Sequence, residues 1–90
     1  MSRQFTYEKD EFIFKAPSRK KNKKYDAHDA RTGDYVTSFG DSRYQQYRDR
    51  IGHYSGKDHE NQRRRKSYYA RHGRLSTYLT PKFFSHKYLW

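Results

Sequence analysis

The 90-residue chain contains no cysteine, and with that go disulfides, thiolate nucleophiles and cysteine-based zinc sites together. Aliphatic side chains are nearly as scarce: Ile13, Val36, Ile51, Leu75, Leu79 and Leu89 are all there are apart from alanine and Met1. No apolar run approaches the ~20 residues of a membrane span, and no signal-peptide hydrophobic region follows Met1. The expectation is a soluble protein that is not secreted by the usual route and has no membrane partner. Acidic residues are also few, ten against 21 lysines and arginines, for a net charge of +11. Such a balance sets up a positive potential that attracts polyanions.

Low apolar content with high net charge normally signals disorder. Aromatic residues argue the other way, since Phe, Tyr and Trp make up 19% of the chain and ten residues are Tyr. Ninety residues make one domain at most. The expected organisation is an extended N-terminal segment over 1–22, carrying a basic run, followed by a single small basic domain over 23–90.

Period-two alternation of Phe5/Tyr7 and of Phe12/Phe14 predicts two short strands ending at Pro17. Arg19–Lys24 follows, a basic run without an apolar residue, expected to be solvated and resembling a nuclear-localisation tract. Residues 24–30 and 35–39 read as a hairpin whose turn, Arg31-Thr-Gly33-Asp34, offers a glycine for positive φ and an aspartate for a local side-chain bond. Tyr44, Tyr47 and Ile51 recur at helical spacing, which predicts a helix over 42–51 capped by Asp41 or Ser42 and stopped at Gly52. A second helix is expected over 59–72, with Asp58 as cap, Glu60 in its first turn and Gly73 after its end. Thr80-Pro81 can open a short helix in the aromatic tail, which is expected to fold back and complete the core. The fold class expected is α+β: a small antiparallel sheet of two to four strands, two short helices and an aromatic C-terminal segment packed across them.

Charge is uneven. Residues 1–45 carry ten basic and seven acidic groups, residues 46–90 eleven and three. Bases and aromatics interleave over 43–74, the pattern that lets cations neutralise phosphates while rings stack on bases. Candidate nucleic-acid contacts are Arg63, Arg64, Arg65, Lys66, Arg71 and Tyr68, with Lys20 and Lys21 from the first basic run. DNA is ranked ahead of RNA as the partner.

His53, Asp58, His59 and His72 are the set that could build a metal or nuclease centre. They have no fixed-spacing metal signature, and His59 and His72 would stand ~20 Å apart on a continuous helix. No P-loop, dinucleotide fingerprint, zinc-finger spacing or nucleophile elbow is present. The expectation is a non-enzymatic protein with no catalytic residue, no metal site and no cofactor.

Ser38-Phe-Gly-Asp-Ser-Arg-Tyr44, Tyr47-Arg-Asp-Arg-Ile-Gly-His-Tyr54, Asp58-His59, Arg64-Arg65, Tyr68-Tyr69, Arg71-His-Gly73 and Phe84-Ser-His-Lys-Tyr-Leu-Trp90 together form an unusual ordered set of blocks. Over residues 23–90 the chain resembles a family of short basic proteins of unknown function encoded by large double-stranded DNA viruses of algae and protists. The Ser55-Gly-Lys57 loop fits that resemblance least well. The resemblance implies a viral protein acting in the nucleus or cytoplasm of an infected cell, or in the virion, and supplies no catalytic residues. Within that setting the leading expectation is nucleic-acid binding through the second helix. The alternative is a minor capsid or cement protein whose basic surface and aromatic ends tie acidic or capsid proteins together.

Overall fold

The computed structural model describes residues 3–90. It contains one four-stranded antiparallel sheet and two α-helices, an α+β arrangement. The chain divides into two compact units, residues 1–43 and 44–90.

The first unit is the sheet. Its strands β1 (Phe5–Lys9), β2 (Phe12–Ala16), β3 (Lys23–Asp29) and β4 (Tyr35–Asp41) lie in sequence order as a meander. Alternation sets the faces: Phe14 pairs with Ala27 and Tyr25 with Phe39, so these side chains share one side. Phe14, Tyr25 and Phe39 are wholly buried and form a triangle of rings, with centroids 5.5–6.1 Å apart. Each buried aromatic contributes about 1.5–3 kcal/mol, and each ring pair about 0.5–1.5 more. In so aliphatic-poor a chain these rings take the place of Leu and Ile.

The expected hairpin is present as β3 and β4, with Gly33 at φ +80° in its turn. The local side-chain bond comes from Asp29, which accepts the Arg31 N–H at 2.8 Å, and not from Asp34. The boundary drawn at residue 22 falls in the turn between β2 and β3, and β1 and β2 are members of the sheet. The basic run is not solvated throughout. Arg19, Lys20, Lys21 and Lys23 are exposed, but Lys24 lies within β3 and keeps 2% of its surface.

On the opposite side of β3 sits a buried carboxylate. Asp26 accepts hydrogen bonds from the hydroxyls of Ser18 and Ser38, the Arg19 N–H and the Gln4 amide. Burial works to raise its pKa, but these four donors outweigh it and hold the carboxyl below its usual range.

The second unit opens with an irregular segment where a helix was expected. Residues 42–51 form none. The reason lies in the backbone donors, which find partners far along the chain. Arg48 N–H donates to the Leu89 carbonyl and Arg50 N–H to the Tyr88 carbonyl, at 3.0 and 2.9 Å. Asp49 then gathers three amides on its carboxylate, those of Ile51, Gly52 and Tyr54. An i→i−4 ladder cannot form once its donors are taken. A single 3₁₀ turn, Ser55–Lys57, follows.

Helix α1 covers Gln62–His72 and ends at Gly73, φ +73°, as the sequence predicts. Its cap is Asn61, not Asp58: Asn61 Oδ1 accepts the N–H groups of Arg63 and Arg64. Asp58 instead accepts the Asp49 N–H at 2.7 Å and the Gln46 side-chain amide. Glu60 accordingly precedes the helix. Helix α2 covers Pro81–Tyr88, capped by the Thr80 hydroxyl with proline at its start. Phe84, Tyr88 and Leu89 are buried, and Trp90 packs on α1. The end of the tail thus folds back, while Leu75 and Tyr78 in the α1–α2 connection stay exposed. None of the helices among the described residues is long and apolar enough to cross a membrane.

Candidate nucleic-acid interface

Helix α1 has two unlike sides. At 100° per residue, Arg65, Tyr68, Tyr69 and His72 fall in one arc, and Arg63, Arg64, Lys66, Ser67, Ala70 and Arg71 occupy the rest. Burial follows that division except at His72, which is exposed: Arg63, Arg64, Lys66 and Arg71 are exposed, Arg65 and Tyr69 are half-buried, and Tyr68 is buried.

Of the predicted contact residues, four therefore face solvent from one helix. From Arg63 to Arg71 the axis rises ~12 Å, a length over which a nucleic-acid strand rising ~3.4 Å per nucleotide passes three or four phosphates. Arg64 is partly engaged, donating through Nη1 to Gln45 Oε1 at 2.8 Å. No ion pair among the described residues recruits Arg63, Lys66 or Arg71; the acidic partner nearest the helix start, Glu60, is bound to Arg48 at 2.9 Å. The first turn of α1 has no acidic residue. An anion approaching this side meets cations without internal competitors.

Arg65 is placed differently. Its Nε donates to the main-chain oxygen of Trp90 at 2.7 Å, and its guanidinium lies over the rings of Tyr47 and Tyr69, 5.2 and 5.4 Å from their centroids. A planar cation between two rings is a packing element. Nothing in the letters Arg-Arg-Arg-Lys separates it from its neighbours; only the helical angle, shared with Tyr68 and Tyr69, carries that signal.

Tyr68 is likewise turned inward. Its ring stacks on Trp90, and its hydroxyl donates to His86 Nδ1 at 2.8 Å. Burial, assisted by Tyr69, raises its pKa strongly. The His86 Nε2–H donates in turn to the Gly73 carbonyl at 2.9 Å, tying α2 to the end of α1. Burial first, with Lys82 and His72 adding to it, lowers the His86 pKa against the opposing effect of the Gly73 bond.

Lys20 and Lys21 lie in the first unit, exposed on the turn between β2 and β3. Lys20 Nζ reaches over the Tyr35 ring at 5.8 Å. They form a basic spot on the sheet.

The residues considered for a metal centre have structural employment. His53 packs edge-on against Tyr54, and His72 packs against Tyr68. Asp58 holds the 46–49 backbone. His59 Nδ1 accepts the Asn61 N–H at 2.9 Å, which requires the neutral ring with its proton on Nε2. That Nε2 is buried without a hydrogen-bond partner, beside Trp90 and Tyr47. Burial, then Arg64, lowers the His59 pKa, with Asp58 opposing. Among the described residues no three His, Asp or Glu side chains come together as a metal-binding group.

Tyr44 lies in the 43–74 stretch but is not among the named contact residues. Tyr44 keeps 63% of its surface and stands next to Gln45, the residue that holds Arg64. Its helical spacing with Tyr47 and Ile51 predicts a helix over 42–51 that the structure does not form. Comparisons with protein-family models, curated proteins and solved structures yield no match to this chain.

Proposed function

We propose that this chain is a non-catalytic nucleic-acid-binding protein that grips phosphates through the outer side of α1. The observation that carries the reading is the set Arg63, Arg64, Lys66 and Arg71, exposed together on one helix that has no acidic residue of its own. Four cations on a rigid element bind a polyanion by displacing its counterions, and do so with little regard to base sequence. Lys20 and Lys21 are accessory phosphate contacts on the sheet. Arg65 and Tyr68 shape the helix from within. DNA remains the first-ranked polymer, and a role in an infected cell or virion is part of the same proposal. The capsid or cement alternative leans on aromatic ends free to dock. At the C-terminal end Phe84, Tyr88 and Leu89 are buried, which speaks against docking there, whereas at the N-terminal end Phe5 is exposed.

The test is the salt dependence of binding. With three or four phosphates neutralised, log K falls against log salt with a slope of roughly −2 to −4. The double variant Arg63→Ala/Arg71→Ala flattens it by up to about two. A folded double variant with an unchanged slope would place the interface elsewhere.

A further inference from the structure

We infer that the α1–α2 connection is a wedge for duplex nucleic acid, with Leu75 entering between two base pairs and kinking the duplex there. This rests on the phosphate-binding reading above and adds to it the form of the polymer and its deformation. Leu75 keeps 89% of its surface in solvent, in a chain with only three leucines, of which Leu89 is buried. Its surroundings in the sequence are cationic: residues 61–90 contain eight lysines and arginines and no aspartate or glutamate. A partner that covers Leu75 must therefore be anionic outside and apolar within. A duplex, whose phosphates enclose a stack of bases, has that character.

The loop that carries Leu75 is fastened at both ends. On the α1 side, His86 Nε2–H donates to the Gly73 carbonyl at 2.9 Å, and the Arg74 guanidinium lies 4.8 Å from the Tyr69 ring centroid. On the α2 side, the Thr77 carbonyl accepts the Thr80 hydroxyl at 2.6 Å and the Thr80 N–H at 3.3 Å. Tyr78 packs against Phe83, with centroids 4.9 Å apart. Phosphate contacts stand before and after the leucine. Arg71, exposed in the last turn of α1, precedes it. Beyond it, Leu75, Ser76, Thr77, Thr80 and Lys82 line a concavity of about 530 Å³. The hydroxyls of Ser76 and Thr77 make no hydrogen bond among the described residues, and Lys82 is exposed. Hydroxyls and an ammonium around one hollow suit a phosphate oxygen.

A single strand binds largely by laying its bases on aromatic rings, and Leu75 has no ring to offer. On α1 itself, Tyr68 is covered by Trp90, and Tyr69 has Arg65 and Arg74 over its ring. An aliphatic side chain acts instead as a wedge, which partly unstacks one base step and bends the duplex by about 20–90°. Unstacking costs least at a flexible pyrimidine–purine step or at a mismatch, so such sites are the preferred points of entry.

The experiment measures binding of the full chain at fixed salt to three DNAs of equal length: a paired duplex, the same duplex with one central mismatch, and a single strand. Both duplexes carry a dye at each end, so that bending raises energy transfer between the dyes. Wild-type protein is expected to bind the mismatched duplex most tightly and to raise energy transfer on both duplexes. Leu75→Ala should weaken binding to the mismatched duplex by roughly five- to fiftyfold and abolish the rise, whereas Leu75→Met retains both. Thermal melting verifies that the variants fold as wild type, as the exposure of Leu75 leads one to expect. Unchanged affinity and energy transfer in Leu75→Ala overturns the wedge while leaving phosphate binding in place. Binding without any rise in energy transfer overturns the kink, and preference for the single strand overturns the duplex assignment. Capture by phosphatidylserine vesicles that requires Leu75, beside DNA binding that does not, would assign the loop to a lipid surface and likewise overturn the wedge. Binding of none of the three DNAs removes the phosphate-binding reading itself, and this inference with it.

Discussion

The indole of Trp90 lies on the ring of Tyr68, with centroids 4.3 Å apart and planes 11° from parallel. This stack fastens the end of the chain to the inner side of α1, and Arg65 closes it by donating to the Trp90 main-chain oxygen. The outer side of the helix is exposed because the inner side is so occupied.

Removal of the stack should therefore cost stability. Trp90→Ala is expected to destabilise the protein by about 3 kcal/mol, the lower end for a large aromatic because Trp90 is only half-buried. Deleting residues 83–90 strips away Phe84, Tyr88 and Leu89 as well, and should abolish cooperative unfolding in urea. A truncated chain that melts like the full one would show that the tail is dispensable for folding.

Two neighbouring arginines should behave in opposite ways. Arg65→Ala removes a charge-assisted hydrogen bond and a cation packed between rings, a loss of about 2–3 kcal/mol. Arg63→Ala should change stability by less than about 0.5 kcal/mol and instead reduce the salt slope of nucleic-acid binding by about one. Paired denaturation and titration curves for the two variants decide the matter; similar profiles for both would contradict the division of α1 into inner and outer sides.

Helix capping offers a sharper local test. Asn61→Ala should cost about 1 kcal/mol and fray the first turn, where Arg63 and Arg64 are presented. Asp58→Ala should act on the 46–49 loop, leaving the Asp49 N–H without its acceptor. Amide hydrogen exchange separates the outcomes: faster exchange at Arg63 and Arg64 in the first variant, at Asp49 in the second.

Acid should destabilise the protein in two stages. His59 and His86 have lowered pKa values in the folded chain, so the unfolded chain takes up their protons first as pH falls. The stability they provide is full above the unfolded value of ~6.5 and is lost as pH drops through the folded values. Asp26 also has a lowered pKa, so its contribution is present above ~3.9 and is lost below that. Stability measured from pH 8 downwards should decline first near 6.5. His86→Gln should remove part of that first decline; an unchanged profile would detach it from this residue.

Much of the fold was readable from the letters where one local pattern had one outcome. Phe12/Phe14 and Tyr25/Ala27 alternate with period two, and Gly33 and Gly73 stand where positive φ is needed. The missing helix at 42–51 is the counter-example. Tyr44, Tyr47 and Ile51 satisfy helical spacing, but the amides of Arg48 and Arg50 bond to residues some forty positions later, which no local window contains. Lys24 illustrates the same limit, since a basic run reads as solvated until a strand carries one member inside. In the candidate site, composition found the helix and its charge, while the inward turn of Arg65 and Tyr68 was signalled only by their shared helical angle and is fixed by Trp90, which lies 25 positions after Arg65.

The acidic side chains of residues 44–90 are Asp49, Asp58 and Glu60, and every one is engaged: the first two with backbone amides, the third with Arg48. Eleven lysines and arginines share that stretch with them. Electroneutrality around it must come from dissolved small anions, so this half of the chain is clothed in an ionic atmosphere of its own, the mirror image of the cations that condense on a polynucleotide. When the two meet, both atmospheres are shed, and the choice of anion in the buffer becomes as consequential as its concentration.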